Sequence, residues 1–170
     1  MVGMDREVIS CRSADFLQLA TMILTGGNVL RFRVHGRSMY PFVRDGDVVE
    51  VKPVQASAVG VGDVVLCGYG DDRLVVHRVI EVSKDNGRVA LVMKGDSARQ
   101  ADKPVCLEQV LGQVIAIERG GRKLPLDGGL RRLANRVWAR LSPFSPQLYR
   151  LPRIARYVAR RVVDRASVLY

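Results

Sequence analysis

Cysteine is scarce in this chain. Cys11, Cys67 and Cys106 are the only three among 170 residues, and no two stand at Cys-x-x-Cys spacing. An odd, scattered set argues against a disulfide framework and is too sparse for a cysteine-only zinc site. The expected state is small buried or free thiols in a reducing compartment. Long apolar runs are missing too. No stretch approaches the ~18 uninterrupted apolar residues of a spanning helix. The first residues show no basic region followed by an apolar core and a small-residue cleavage site, so no export signal is visible. The chain is expected to be made and kept in the cytoplasm, with a peripheral place at the inner face of the membrane left open. Acidic residues almost disappear after Leu130, where ten arginines face the single acid Asp164, a balance of +9. The preceding part carries 17 basic and 16 acidic residues, so the net charge of +10 belongs to the tail.

What is present reads as three segments: 1–28, 29–121 and 122–170. Ser13 to Leu24 has the spacing of a helix. Ser13 can cap its start, and Phe16, Leu17, Ala20, Ile23 and Leu24 share one face. Gly26-Gly27-Asn28 ends it, since these residues tolerate left-handed backbone angles. Short strands follow: Val29–Val34, Asp47–Val51, Val61–Leu66, Leu74–Val82, Val89–Met93 and Val110–Ile117. Gly and Asp turns separate them. The runs Arg44–Val49 and Gly60–Val65 each place a Gly-Asp turn before a Val-Val strand, which indicates shared turn chemistry rather than an internal repeat. The fold class is therefore mainly β, a sandwich or partly closed barrel, with an N-terminal helix and a helical, basic C-terminal extension. Pro125, Gly128 and Gly129 mark a hinge before that extension. Leu130–Leu141 and Ile154–Val168 read as basic amphipathic helices, with Leu130, Leu133, Val137, Trp138 and Leu141 on one side of the first. Pro143 and Pro146 interrupt them.

The chemistry concentrates in Gly36-Arg37-Ser38-Met39-Tyr40-Pro41 and in Val75-Val76-His77-Arg78-Val79-Ile80. Gly36 and Pro41 fix a bend that would hold the Ser38 hydroxyl at a sheet edge. A serine hydroxyl is a poor nucleophile until a neighbouring base takes its proton. His77, 39 residues later, is the side chain best suited to that task near neutral pH. A third group must orient the ring, and Asp96 and Asp102, on a polar loop after the next strand, are both available.

In this order the motifs resemble the signal peptidase I superfamily, which shares its fold with LexA-like self-cleaving repressors. Gly-x-Ser-Met-x-Pro is followed by Gly-Asp-Val-Val strands, then His77-Arg78-Val79-Ile80, then Lys94-Gly95-Asp96 and a further Asp. The chain is most similar to the endoplasmic-reticulum and archaeal type, in which histidine replaces the usual lysine. The likeness runs from about Phe32 to Ile117. It implies a serine endopeptidase with Ser38 as nucleophile, His77 as general base and Asp102 as the acid beside it. Asp96 and Lys94 would support the site, Met39 and Pro41 would line the substrate groove, and backbone amides near Ser38 would hold the oxyanion. It implies no metal and no organic cofactor. The substrate would be an extended polypeptide of leader or signal type, docking as an added strand, with small residues near the cut.

Lys94 is the rival base, provided burial lowers its pKa by several units. His35 reads as a strand residue, and Cys67 and Cys106 match no catalytic position. Members of this type normally carry a spanning anchor and none is visible here. The expectation is thus a peptidase that trims a cytoplasmic peptide, or one whose basic tail replaces the anchor. Residues 130–170 could meet an anionic membrane surface or an acidic partner protein. Nucleic acid is the least favoured partner, because no DNA-reading motif precedes the β region. The alternative function is a non-catalytic or self-cleaving LexA-like module that uses the tail for binding.

Overall fold

The computed structural model describes residues 13–70, 73–85, 88–127 and 129–141. The tail beyond Leu141, with the second basic helix expected at Ile154–Val168, lies outside the described residues.

Helix α1 spans Ser13–Thr25. It closes with a double hydrogen bond, Asn28 N–H to the Ile23 carbonyl and Gly27 N–H to the Leu24 carbonyl, both 3.1 Å. Gly27 takes a φ of 81° there, which is why glycine stands at this position. Among the described residues eight strands follow: β1 (Leu30–Arg33), β2 (Val48–Lys52), β3 (Val64–Tyr69), β4 (Arg73–Asp85), β5 (Arg88–Lys94), β6 (Val105–Cys106), β7 (Val110–Arg119) and β8 (Arg122–Pro125). Helix α2 spans Gly129–Leu141. The strands form one antiparallel sheet in the order β1-β2-β7-β3-β4-β5-β6, with β8 added to β7. The sheet is mainly β architecture as expected, and it does not close into a barrel.

Alternation along the strands gives each face its own apolar cluster. Val64 and Leu66 of β3 point to the side of Ala20, Leu24, Val49, Val51 and Ile117. Val65 and Cys67 point to the other, with Val79, Leu91, Met93 and Val105. Helix α1 covers the first face, its Phe16 ring set edge-on to Phe32 with centroids 5.0 Å apart.

Two boundaries differ from the sequence expectation for reasons of turn chemistry. The strand expected at Val61–Leu66 starts at Val64. Asp63 Oδ2 accepts from Gly60 N–H at 3.0 Å, and Asp63 N–H donates to the Gly60 carbonyl at 3.1 Å. Arg44 and Asp47 make the same pair of bonds, at 2.7 and 3.1 Å. The two Gly-Asp segments are indeed one turn used twice. Gly120-Gly121, where the composition shifts, forms a tight hairpin with φ of 55° and 77°, and Arg119 pairs with Arg122 across it. Glycine alone adopts two successive positive φ values without penalty. The sheet thus gains β8 in a segment that carries almost no strand pattern.

Candidate functional site

The residues from Val34 to Asp47 form a closed loop between β1 and β2. Val34 N–H donates to the Asp47 carbonyl and Gly46 N–H to the Val34 carbonyl, each at 2.9 Å. Gly36 N–H donates to Asp45 Oδ1 at 2.8 Å. Arg119 at the end of β7 clamps the loop from beneath, bonding both Asp47 oxygens at 2.7 and 2.9 Å and the Phe42 carbonyl at 2.9 Å. Within it, Tyr40 N–H to the Arg37 carbonyl and Val43 N–H to the Met39 carbonyl make a tight turn. That turn buries Met39 and leaves Ser38 exposed.

His77 lies in β4 opposite Val65 of β3, and only 8% of it is exposed. Its Nε2 is 3.2 Å from Ser38 Oγ. Its Nδ1 is 2.5 Å from Asp102 Oδ2. An ionised carboxylate only accepts hydrogen bonds, so Nδ1 carries the proton of the neutral ring and Nε2 is left as an acceptor for the serine hydroxyl. Asp102 is held in place by its own backbone, whose N–H donates to the Met93 carbonyl at 2.8 Å. Ser38, His77 and Asp102 thus form one hydrogen-bonded chain across three separate parts of the sequence. Such a chain can take a proton from the hydroxyl, hold it on an imidazolium stabilised by the carboxylate, and return it to a leaving group.

Of the two carboxylates left open by the residues alone, Asp102 is the one that reaches the histidine. Asp96 is fully buried and faces Arg78, which donates Nε–H and an Nη2–H to its two oxygens at 2.8 and 2.9 Å. Trp138 of α2 adds an indole N–H to Asp96 Oδ1 at 3.0 Å. The Arg78 guanidinium lies 5.0 Å from the Phe42 ring centroid, and Phe42 packs edge-on against Trp138, again at 5.0 Å. This buried pair braces the site from behind. A guanidinium and a carboxylate removed from water require such two-point bonding.

The turn after β5 locks onto the serine loop. Ser97 N–H donates to the Ser38 carbonyl at 2.8 Å, and Ser97 Oγ bonds the Arg37 and Ser38 carbonyls at 2.6 and 3.0 Å. Gly95 touches the centre itself, and neither Ser97 nor Gly95 was singled out by sequence reasoning. The only signal for Gly95 was its place in the Lys94-Gly95-Asp96 motif. Lys94 is buried, bonds the Gly95 carbonyl at 3.4 Å, and burial lowers its pKa. The side chain bonded to Ser38 is nevertheless His77.

His35 is not a strand residue. It follows β1, is largely exposed, and lies 3.8 Å from Asp45 Oδ1. Cys67 is buried on the same face of β3 as Val65, the cross-strand neighbour of His77, and burial first, and the Asp102 charge second, push its thiol up to about 12. Cys106 is exposed at the sheet's margin. Neither thiol joins the Ser38 chain.

A cleft of about 480 Å³ runs up to Ser38 and His77. Apolar residues from β1 to β4, with Phe16 of α1, line it together with Arg33, Arg44 and Arg73. Met39 lines the cleft from within the core, whereas Pro41, joined to Tyr40 by a cis peptide, is not among the lining residues. Among the described residues, no group of three His, Cys, Asp or Glu side chains is placed to hold a metal ion, and no helix is long and apolar enough to cross a membrane.

Comparison with curated proteins finds no match. Comparison with family profiles does: the Peptidase S24-like profile matches residues 2–114, about two thirds of the chain, beginning well before the Phe32 expected from the motifs. Ser38, His77 and Asp102 all fall within the match, and the chain belongs to the Peptidase S24-like family, a grouping of serine peptidases and LexA-like modules.

Proposed function

We propose that this protein is a serine endopeptidase that cuts an extended leader- or signal-type peptide. Family membership reaches a serine peptidase or LexA-like module in general, and it does not specify signal-peptide cleavage. The observation that carries the finer reading is the continuous Asp102–His77–Ser38 chain, with the hydroxyl exposed at the end of a cleft and the imidazole sequestered behind it.

The proposed reaction has two halves. Ser38 Oγ attacks the scissile carbonyl carbon while His77 Nε2 takes its proton. Backbone N–H groups of the Ser38 turn meet the developing oxyanion. The tetrahedral intermediate collapses, the carbon–nitrogen bond breaks, and the leaving amine receives the proton from His77. Water then attacks the acyl-enzyme, giving its proton to His77, which passes it to Ser38 Oγ as the ester bond breaks and leaves a new C-terminal carboxylate on the product. Asp102 stays ionised and keeps Nδ1 protonated throughout.

The strand edges support an extended substrate. Among the described residues β1 pairs only with β2, and residues 73–77 of β4 pair only with β3. Both edges border the cleft, so a peptide backbone laid between them finds unpaired ladder groups on its way to Ser38. The apolar part of the lining, Phe32, Val34, Met39, Leu66 and Leu74–Val76, suits small or aliphatic side chains.

The test is digestion of a mixed peptide library followed by mass spectrometry. Wild-type protein should generate new termini after a restricted set of residues. Ser38→Ala and His77→Ala should generate none, and Lys94→Ala should cleave at the same positions as wild type. Cleavage that persists in Ser38→Ala would remove this reading.

A further inference from the structure

Helix α2 has two apolar faces, and the structure uses one of them. Asn135 and Ala139 are buried against the domain and Trp138 is half-buried there. The Asn135 amide donates to the Leu126 carbonyl at 3.0 Å, and Trp138 bonds Asp96. Packing is close enough that a Cβ on Gly62 would stand 2.8 Å from the Arg136 nitrogen, so glycine is required beneath the helix. The other face carries Leu133, Val137 and Leu141, one turn apart, and they are 58%, 51% and 46% exposed. Arg136 and Arg140 are exposed alongside, and α2 contains no acidic residue. The sequence expectation of a single apolar side that includes Trp138 is thus corrected. The tryptophan belongs to the inner face, and the outer stripe is purely aliphatic.

We propose that this outer stripe docks on an anionic lipid surface, seating Leu133, Val137 and Leu141 at the acyl boundary with arginines among the headgroups. Charge decides against the nearest alternatives. Residues 142–170 hold six arginines and one acid, and a second copy would bring the same positive face, so neither offers α2 a complementary charge. Duplex phosphates would satisfy the arginines and leave the aliphatic stripe wet. An anionic interface satisfies both at once. Ile154, Tyr157, Val158 and Val162 repeat the pattern of apolar residues spaced through arginines later in the tail. A lipid surface accepts two such segments without shape matching, whereas an acidic protein needs a fitted groove for each. Docking through the outer face leaves the Trp138–Asp96 bond in place, so the site remains braced while the protein sits on the membrane.

The full-length chain is tested by co-sedimentation with vesicles containing about 30% phosphatidylglycerol, against pure phosphatidylcholine. Wild type should bind the anionic vesicles and lose binding as salt rises. The variant Leu133→Ser/Val137→Ser/Leu141→Ser should bind at least about tenfold more weakly, because its polar side chains no longer gain by leaving water. All three positions are exposed, so the fold should survive, which circular dichroism will check. Trp138 is the only tryptophan, and brominated acyl chains should not quench it. No binding by wild type, equal binding by the triple variant, strong Trp138 quenching, or preference for duplex DNA or an acidic polypeptide over anionic vesicles would each overturn the proposal. None of these outcomes depends on whether the chain is a peptidase.

Discussion

Gly95 and Ser38 approach so closely that a methyl group on Gly95 would stand 2.7 Å from the Ser38 carbonyl oxygen and 3.2 Å from His77 Nε2. The obstacle is backbone, which cannot swing aside as a flexible side chain would. Gly95→Ala should therefore push the serine loop off the β5 turn and open the Ser38–His77 contact. A misplacement of about 1 Å in a reacting pair lowers the rate about 10²-fold. Steady-state peptide cleavage should fall by at least that factor, with a smaller change in melting temperature.

Asp102 and Asp96 should separate cleanly by mutation. Asp102→Asn keeps the shape but places an amide where Nδ1–H needs a carboxylate. Its cleavage rate should drop about 10³- to 10⁴-fold with little loss of stability. Asp96→Asn leaves Arg78 buried against a neutral partner, and removing one side of such a pair destabilises by about 3–5 kcal/mol. Urea denaturation of the two variants beside their activities will show whether the roles divide this way.

Trp138→Phe keeps the ring against Phe42 and removes the hydrogen bond to Asp96. A lost bond to a charged acceptor is worth about 1.5–3 kcal/mol. The expected result is a destabilised protein whose residual activity keeps the wild-type pH profile, because Asp96 does not touch His77. A shifted pH profile would place Trp138 closer to the chemistry than the geometry does.

Cys67 supplies a pH prediction. Its folded pKa is raised to about 12 from 9.0, first by burial and then by the Asp102 charge. Between those values the unfolded chain has released the thiol proton and the folded chain has not, so unfolding becomes easier as pH rises. The contribution is about 1.4 kcal/mol per pH unit while the window lasts. Tyr69, also raised by burial and by Asp102, acts in the same direction, and Lys94, lowered by burial, acts against it. Comparing wild type with Cys67→Ala cancels Lys94, while Tyr69, whose pKa the Cys67 charge also helps to raise, changes in the same direction. The variant's stability should fall less steeply above pH 9, by about one proton's worth.

The sheet was legible where alternation and turn residues agreed. The hydrophobic spacing of α1 and its Gly26-Gly27-Asn28 stop placed that helix within one residue, and the long runs in β4, β5 and β7 declared themselves. β6 and β8 did not, because two and four residues carry too little alternation to stand out. For the site, the serine bend and the strand histidine could be paired by chemistry and motif order. Which aspartate meets the ring could not follow from residue type, since it depends on Arg78 and Trp138 reaching Asp96 from elsewhere. The need for glycine at 95 goes beyond its place in the Lys94-Gly95-Asp96 motif, because a requirement for no side chain leaves no mark in composition. Helical periodicity showed that α2 is amphipathic but not which apolar face is docked, for Trp138 and Val137 are neighbours in sequence and face different surroundings.

The central claim is that the imidazole of His77 activates the hydroxyl of Ser38. The most direct measurement is intact-mass analysis after exposure to a fluorophosphonate, followed through wild type, Ser38→Ala, His77→Ala and Lys94→Ala. The account predicts one adduct mapped to Ser38 in wild type and in Lys94→Ala, and none on the same timescale in the other two. Rapid labelling of Ser38 without His77, or labelling abolished by Lys94→Ala alone, would contradict it.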